Sequence, residues 1–183
     1  MKTRTSVCLL LLLVLSCCAS AEKRKIAVAV GLGLAWPSDS KTKDTFGSDW
    51  EGFGVKTFEV STSSSSRLMA DFRAYKLDAE KLDGPVKARL YPLTFGVEQG
   101  LGKEGSTRPY VALRAGPYYG HVEEPAQGVD KTLIGLDANV AVGVIFKERF
   151  YVEARYDFLS SIGGYDFDGL SVIAGVRVFD IKL

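Results

Sequence analysis

From Ile26 the chain alternates with a period of two. Its even positions read Ile26, Val28, Val30, Leu32, Leu34 and Trp36, and the odd positions between them read Ala27, Ala29, Gly31, Gly33 and Ala35. One face is bulky and apolar and the other is small. A helix would scatter these residues around its circumference, so the pattern predicts a strand. Pro37 ends it, and Ser38–Asp49 reads as a polar loop. The alternation then returns in Phe53–Ser61, Leu68–Tyr75, Val86–Leu101, Tyr110–Val122, Ile134–Phe146, Phe150–Phe158 and Leu170–Phe179. Between these runs, Ser61–Ser66, Asp78–Pro85, Gly102–Arg108, Glu123–Lys131 and Ser160–Phe167 read as turns or loops. Lys147-Glu148-Arg149 makes a tight turn that sets Phe146 opposite Phe150. In the fourth run, Leu93, Phe95 and Val97 have the opposite parity to Ala88 and Leu90, which predicts a bulge at Pro92.

The expected fold class is therefore all-β, an antiparallel up-and-down barrel of about eight strands, several of them long enough to cross lipid on a tilt. Alternation alone also fits a soluble, lipocalin-like binding barrel with the apolar face inside. The composition of the second face favours a transmembrane barrel. It carries Ala, Gly and Asn with a few long charged side chains, which suit a narrow interior. Arg73, Arg114, Arg155 and Arg177 share it with Asp71, Asp137, Glu153 and Asp157, and equal numbers of each sign allow buried pairing. Trp36, Tyr75, Phe146, Phe150 and Phe158 lie toward strand ends, as interfacial aromatics do.

The start of the chain bears on compartment. Lys2 and Arg4 precede an apolar run, Val7–Leu15, and Ala19-Ser20-Ala21 follows. This order predicts a Sec-type signal peptide over residues 1–21, cleaved after Ala21, and a barrel domain over 22–183. Val14-Leu15-Ser16-Cys17 offers a second processing site, which would leave a lipidated Cys17. All 3 cysteines lie in the leader, so no disulfide is expected in the mature chain. The chain has 23 basic and 22 acidic side chains, and losing Lys2 and Arg4 leaves one acid in excess. No basic stripe points to nucleic acid. After the leader no apolar run is long enough for a transmembrane helix, so insertion requires a closed barrel.

Three stretches carry a family resemblance: Leu90-Tyr-Pro-Leu-Thr-Phe-Gly96, Arg108-Pro-Tyr-Val-Ala112 and Asp168-Gly-Leu-Ser-Val-Ile-Ala-Gly-Val-Arg-Val-Phe179. With them the chain resembles the small outer-membrane β-barrel domain family, whose familiar members are outer membrane proteins A and X. The resemblance implies an eight-stranded barrel in the outer membrane, in contact with its lipid and lipopolysaccharide and inserted by the outer-membrane assembly machinery. Members serve in envelope integrity, adhesion or surface interaction. They usually end on an aromatic residue that the assembly machinery reads. Phe179 takes that place here, followed by Asp180–Leu183.

Candidate chemistry is sparse. His121 is the single histidine, with no serine partner in a recognisable motif, and reads as an interfacial side chain. One histidine and no mature cysteine leave zinc without ligands. Gly31-Leu32-Gly33 lacks the third glycine and the helix of a dinucleotide loop. Asp166 and Asp168 read as solvated loop acids. The leading expectation is a monomeric, non-catalytic outer-membrane barrel with a filled interior and no cofactor, its exposed loops forming the interacting surface. A lipid-modifying outer-membrane enzyme of the lipid A deacylase or acyltransferase type comes second. The soluble periplasmic barrel comes third.

Overall fold

The computed structural model describes residues 25–60, 66–81, 84–101 and 107–182. In chain order they form β1 (Lys25–Pro37), α1 (Ser40–Phe46), β2 (Trp50–Val60), β3 (Ser66–Lys81), β4 (Gly84–Gly100) and β5 (Thr107–Glu124). A 3-10 turn at Pro125–Gln127 leads into β6 (Val129–Phe146), β7 (Phe150–Leu159) and β8 (Gly169–Lys182). Each strand pairs antiparallel with the next and β8 closes on β1, so the described strands make one closed barrel of eight. The expected leader, with Ala19, Ala21 and Cys17, lies outside the described residues, as do most of the Ser61–Ser66 and Gly102–Arg108 turns.

The registers align outward residues into rows around the wall. Leu68, Val97, Leu113, Val140 and Tyr156 form one such row. Leu113 is 66% exposed and Ile134 77%. Contiguous apolar exposure on this scale marks a surface that meets something other than water. The belt ends at Tyr91 and Tyr119, whose rings lie 6.0 Å apart. The next outward row reads Lys76, Arg89, His121 and Thr132, and polar residues continue beyond it.

The interior inverts across the same boundary. Inside the belt it is charged and polar, interleaved with alanine, glycine and tyrosine. Beyond the belt it is an apolar core of Leu77, Val86, Leu90, Tyr118, Val122 and their neighbours, capped by Phe46, Trp50, Ile162, Tyr165 and Phe167. Each section hides what its own surroundings would reject.

That inversion explains the parity problem in β4. No residue is inserted at Pro92: Phe72 lies opposite Leu93 and Tyr75 opposite Leu90, in a single register, and Pro92 itself lies opposite Tyr118. Val86, Ala88 and Leu90 point inward because the core there is apolar, while Leu93, Phe95 and Val97 point outward into the belt. The expected bulge is absent.

Other expectations are also corrected. The loops at Asp78–Pro85 and Glu123–Lys131 are mostly strand, since pairing runs to Lys81–Gly84 and Glu124–Val129. The polar loop after β1 contains α1. Asp39 caps that helix by accepting from the Thr42 N–H at 2.8 Å, and Gly47 ends it at φ 86°. Tyr75 is not an interfacial aromatic: it is buried and faces inward. A bulge does occur in β8, where Ala29 faces Arg177 but Val28 faces Phe179. The extra residue, Val178, turns Phe179 and Ile181 to the outside, at 54% and 43% exposure.

Candidate functional site

Among the described residues, the buried polar side chains gather in two regions, the charged interior and the cap above it. Inward positions on β2 to β7 bring together Lys56, Arg73, Arg108, Arg114 and Arg155 with Asp71, Glu98, Asp137, Glu153 and Asp157, all buried. The signs balance, as a low-dielectric interior demands.

Glu153 is the hub of the turn-side half. It accepts from Lys56 Nζ at 2.9 Å, Tyr110 Oη at 2.8 Å, and Arg114 Nη1 and Nη2 at 2.9 and 2.5 Å. Glu98 takes Arg108 as partner and lies 3.4 Å from Lys56 Nζ. In the other half Arg73 grips Asp157 with Nη1 at 3.0 Å and Nη2 at 2.6 Å, and its Nη1 also donates to Tyr75 Oη at 2.5 Å. Arg155 donates to Asp71 and to Ser171 Oγ, the latter at 3.3 Å. Asp137 lies 4.0 Å from Arg73 Nη2. Forked guanidiniums and multi-lone-pair carboxylates suit such shared pairing.

The structure thus gathers Asp71, Arg73, Arg114, Asp137, Glu153, Arg155 and Asp157. It places Arg177 elsewhere. Its guanidinium pairs with Asp180 at the rim, Nε and Nη2 lying 2.6 and 2.5 Å from Oδ1. The β8 bulge brings Asp180 to the inward side, beside it. Sequence reasoning missed Lys56, Glu98 and Arg108. The signal was available: Lys56 shares the parity of Gly52 and Gly54, opposite to Phe53 and Val55, and Glu98 has the parity opposite to Phe95 and Val97.

Two small cavities lie in the lumen. A cavity of about 20 Å³ lies between Trp50, Phe167, Tyr75 and the Arg73–Asp157 pair. A second of about 10 Å³ lies beside Gly33, Gly52 and Arg155. Each is about the size of one water.

Above the cavities, residues 160–168 form a strap across the mouth. Tyr165 donates to Glu124 Oε2 at 2.9 Å and accepts from Lys81 Nζ at 3.1 Å, and Lys81 pairs with Glu124 at 2.8 Å. Burial pushes the Glu124 carboxyl up, but the hydrogen bonds from Lys81 and Tyr165 and the charges of Lys81 and Lys41 outweigh it. The net effect holds it below the usual carboxylate range. Asp166 and Asp168 serve the strap itself: Asp168 Oδ1 accepts the Leu159 N–H and Asp166 Oδ1 the Asp168 N–H. His121 faces outward, its Nδ1 3.0 Å from Thr132 Oγ1 and 3.7 Å from Asp130. Gly31 and Gly33 are inward positions against Tyr151 and Ile173.

Closure in an up-and-down ring of eight, with an apolar outside and a charged inside, defines the class. The chain has the fold of the small eight-stranded outer-membrane β-barrels. Among solved structures it is similar to Neisserial surface protein A, with a TM-score of 0.58 and 15% identity over 87% of this chain and 97% of that one. It is also similar to outer membrane protein OprG of Pseudomonas aeruginosa, at 0.55 and 14% over 87% and 95%. Ail, the attachment invasion locus protein of Yersinia pestis, in complex with the heparin analogue sucrose octasulfate, scores 0.53 at 15% identity over 87% and 99%. No family model and no curated protein sequence matches the chain.

Proposed function

We propose that this chain is a monomeric, non-catalytic outer-membrane protein that presents a rigid sheet for surface interaction. It is exported by a signal peptide cleaved after Ala21 and inserted by the outer-membrane assembly machinery. The belt meets membrane lipid, with lipopolysaccharide on the outer side, and the paired charges fill the barrel so that no open pore runs through it.

One observation carries the reading. Beyond Tyr91 and Tyr119, strands β3 to β6 continue as a four-stranded sheet with a polar outer face and an open edge. Leu136 turns both its N–H and its C=O toward Ser160. Alternate residues of a strand point the same way, so Ile134, Thr132 and Asp130 direct theirs to that side too. Pairing between β6 and β7 begins only at Asp137–Leu159, so among the described residues no strand lies beside these three. An open edge of this kind accepts an extended segment of another protein. The attachment role named for Ail agrees with this reading.

The test uses cells that display the full-length protein, checked by surface labelling. Such cells should adhere to a partner surface, and Thr132→Pro, which removes an edge N–H, should reduce adhesion while leaving display intact. Unchanged adhesion at equal display would refute the edge as the interacting element.

A further inference from the structure

At the opposite end of the barrel, the β6–β7 turn is built against its own backbone preference. Arg149 N–H closes it onto the Phe146 carbonyl at 3.0 Å. Its two central residues, Lys147 and Glu148, have φ of 48° and 54°. They are the only non-glycine residues with positive φ among those described. Asparagine and glycine suit such a turn, whereas long side chains there carry strain. The turn is nonetheless held in place from β8, whose Arg177 donates its backbone N–H to Arg149 O at 2.6 Å and its Nη1 to Glu148 O at 3.3 Å.

Strain retained at a clamped position points to the side chains it displays. Lys147, Glu148 and Arg149 are all exposed. No carboxylate of the described residues lies within ion-pair distance of Lys147 or Arg149, whereas the cations within the barrel are all paired. Phe146 and Phe150, at 39% and 51% exposure, face outward at the foot of the belt immediately beside the turn. The Arg149 guanidinium sits 5.8 Å from the Phe150 ring centroid. Stacking on that ring keeps the charge at the depth of the last apolar side chains, where lipid phosphates lie.

Resting on the membrane reading above, we infer that this turn is a phosphate-binding site for anionic phospholipid in the leaflet on the turn side. Lys147 and Arg149 supply its two cations, Phe146 and Phe150 seat the acyl chains, and Arg177 is the positioning residue that fixes the turn's carbonyls. The strained backbone places Lys147 beside Arg149, and neither cation has a carboxylate partner to displace.

The experiment places the sole tryptophan at the site, with Phe150→Trp in a background of Trp36→Phe and Trp50→Phe. The full mature chain is folded into phosphatidylcholine vesicles carrying one-tenth brominated phosphatidylglycerol or, in parallel, one-tenth brominated phosphatidylcholine. Quenching should show phosphatidylglycerol enriched at the reporter. Lys147→Asn and Arg149→Gln should each lower that enrichment about fivefold, the usual weight of one basic side chain at an anionic surface. Glu148→Gly supplies the control. It relieves turn strain as Lys147→Asn does but keeps both cations, so enrichment should hold or rise. Equal quenching by the two brominated lipids would overturn the inference, as would equal loss in Lys147→Asn and Glu148→Gly. Heat-dependent gel mobility in the same vesicles separates this from the membrane reading, which alone fails if no folded, inserted form is obtained.

Discussion

Arg155 is withdrawn from water and lies among three carboxylates. It donates to Asp71, and it is 3.5 Å from Asp157 and 3.8 Å from Glu153. Truncating one member of such a group leaves buried charge without its partner, which typically costs about 3–5 kcal/mol. Arg155→Ala should therefore lower the unfolding midpoint in lipid far more than Lys131→Ala on the exposed outer sheet. Equal midpoints would mean that water reaches Arg155 and the lumen is wet. Gly96 tests packing in the same way. A Cβ there would lie 1.9 Å from Leu113 O, on the backbone of the adjoining strand, which cannot yield without parting β4 from β5. Gly96→Ala should cost about 1–3 kcal/mol in the same measurement. Most of the buried charges were legible in the sequence because parity alone assigns a side chain to the inner face. Arg177 was not, because its parity is right but the β8 bulge lies directly after it. Tyr75 was misassigned because its nearness to a predicted strand end outweighed its parity.

At the scale of elements, the turn carries backbone strain and the strap hangs on one carboxylate. Replacing Glu148 by glycine removes a left-handed penalty of about 1–2 kcal/mol, so Glu148→Gly should raise the unfolding midpoint even in zwitterionic lipid. The strap depends on Glu124. A carboxyl depressed by folding contributes stability above its ordinary value of 4.5, and loses it as pH falls through the lower folded value. Opening of the Ile162–Tyr165 bridge, read as amide exchange relative to the intrinsic rate, should increase below about pH 4.5. In Glu124→Gln it should be raised at neutral pH and insensitive to acid. Protection that stays flat into strong acid in the unmodified chain would sink this account. The sequence marked the eight strands because each alternates for many residues. It did not mark where hairpins outrun the apolar belt, because charged outward positions such as Lys76, Asp78 and Lys87 look like loop residues. Nor did it mark α1, which is only seven residues long and relies on its Asp39 cap and on burial of Phe46.

For the molecule as a whole, the outward row through Val140 decides which solvent the wall meets. If that solvent is lipid, Val140→Arg should cost about 2–4 kcal/mol near the midplane, read as refolding yield and midpoint in vesicles. Equal refolding of variant and parent would place Val140 away from lipid. The inversion of the interior at Tyr91 and Tyr119 has a thermal consequence. Opening the cap would wet Phe46, Trp50, Ile162, Tyr165 and Phe167 and so carry a positive heat-capacity change, whereas the section below is held by ion pairs. The two halves then have stability curves of different shape. Cooling from about 25 °C to about 5 °C weakens apolar cohesion first. Amide exchange at Ile162 and Tyr165 should then gain on that at Ala154, and a chilled barrel would loosen at its lid while its walls stay shut.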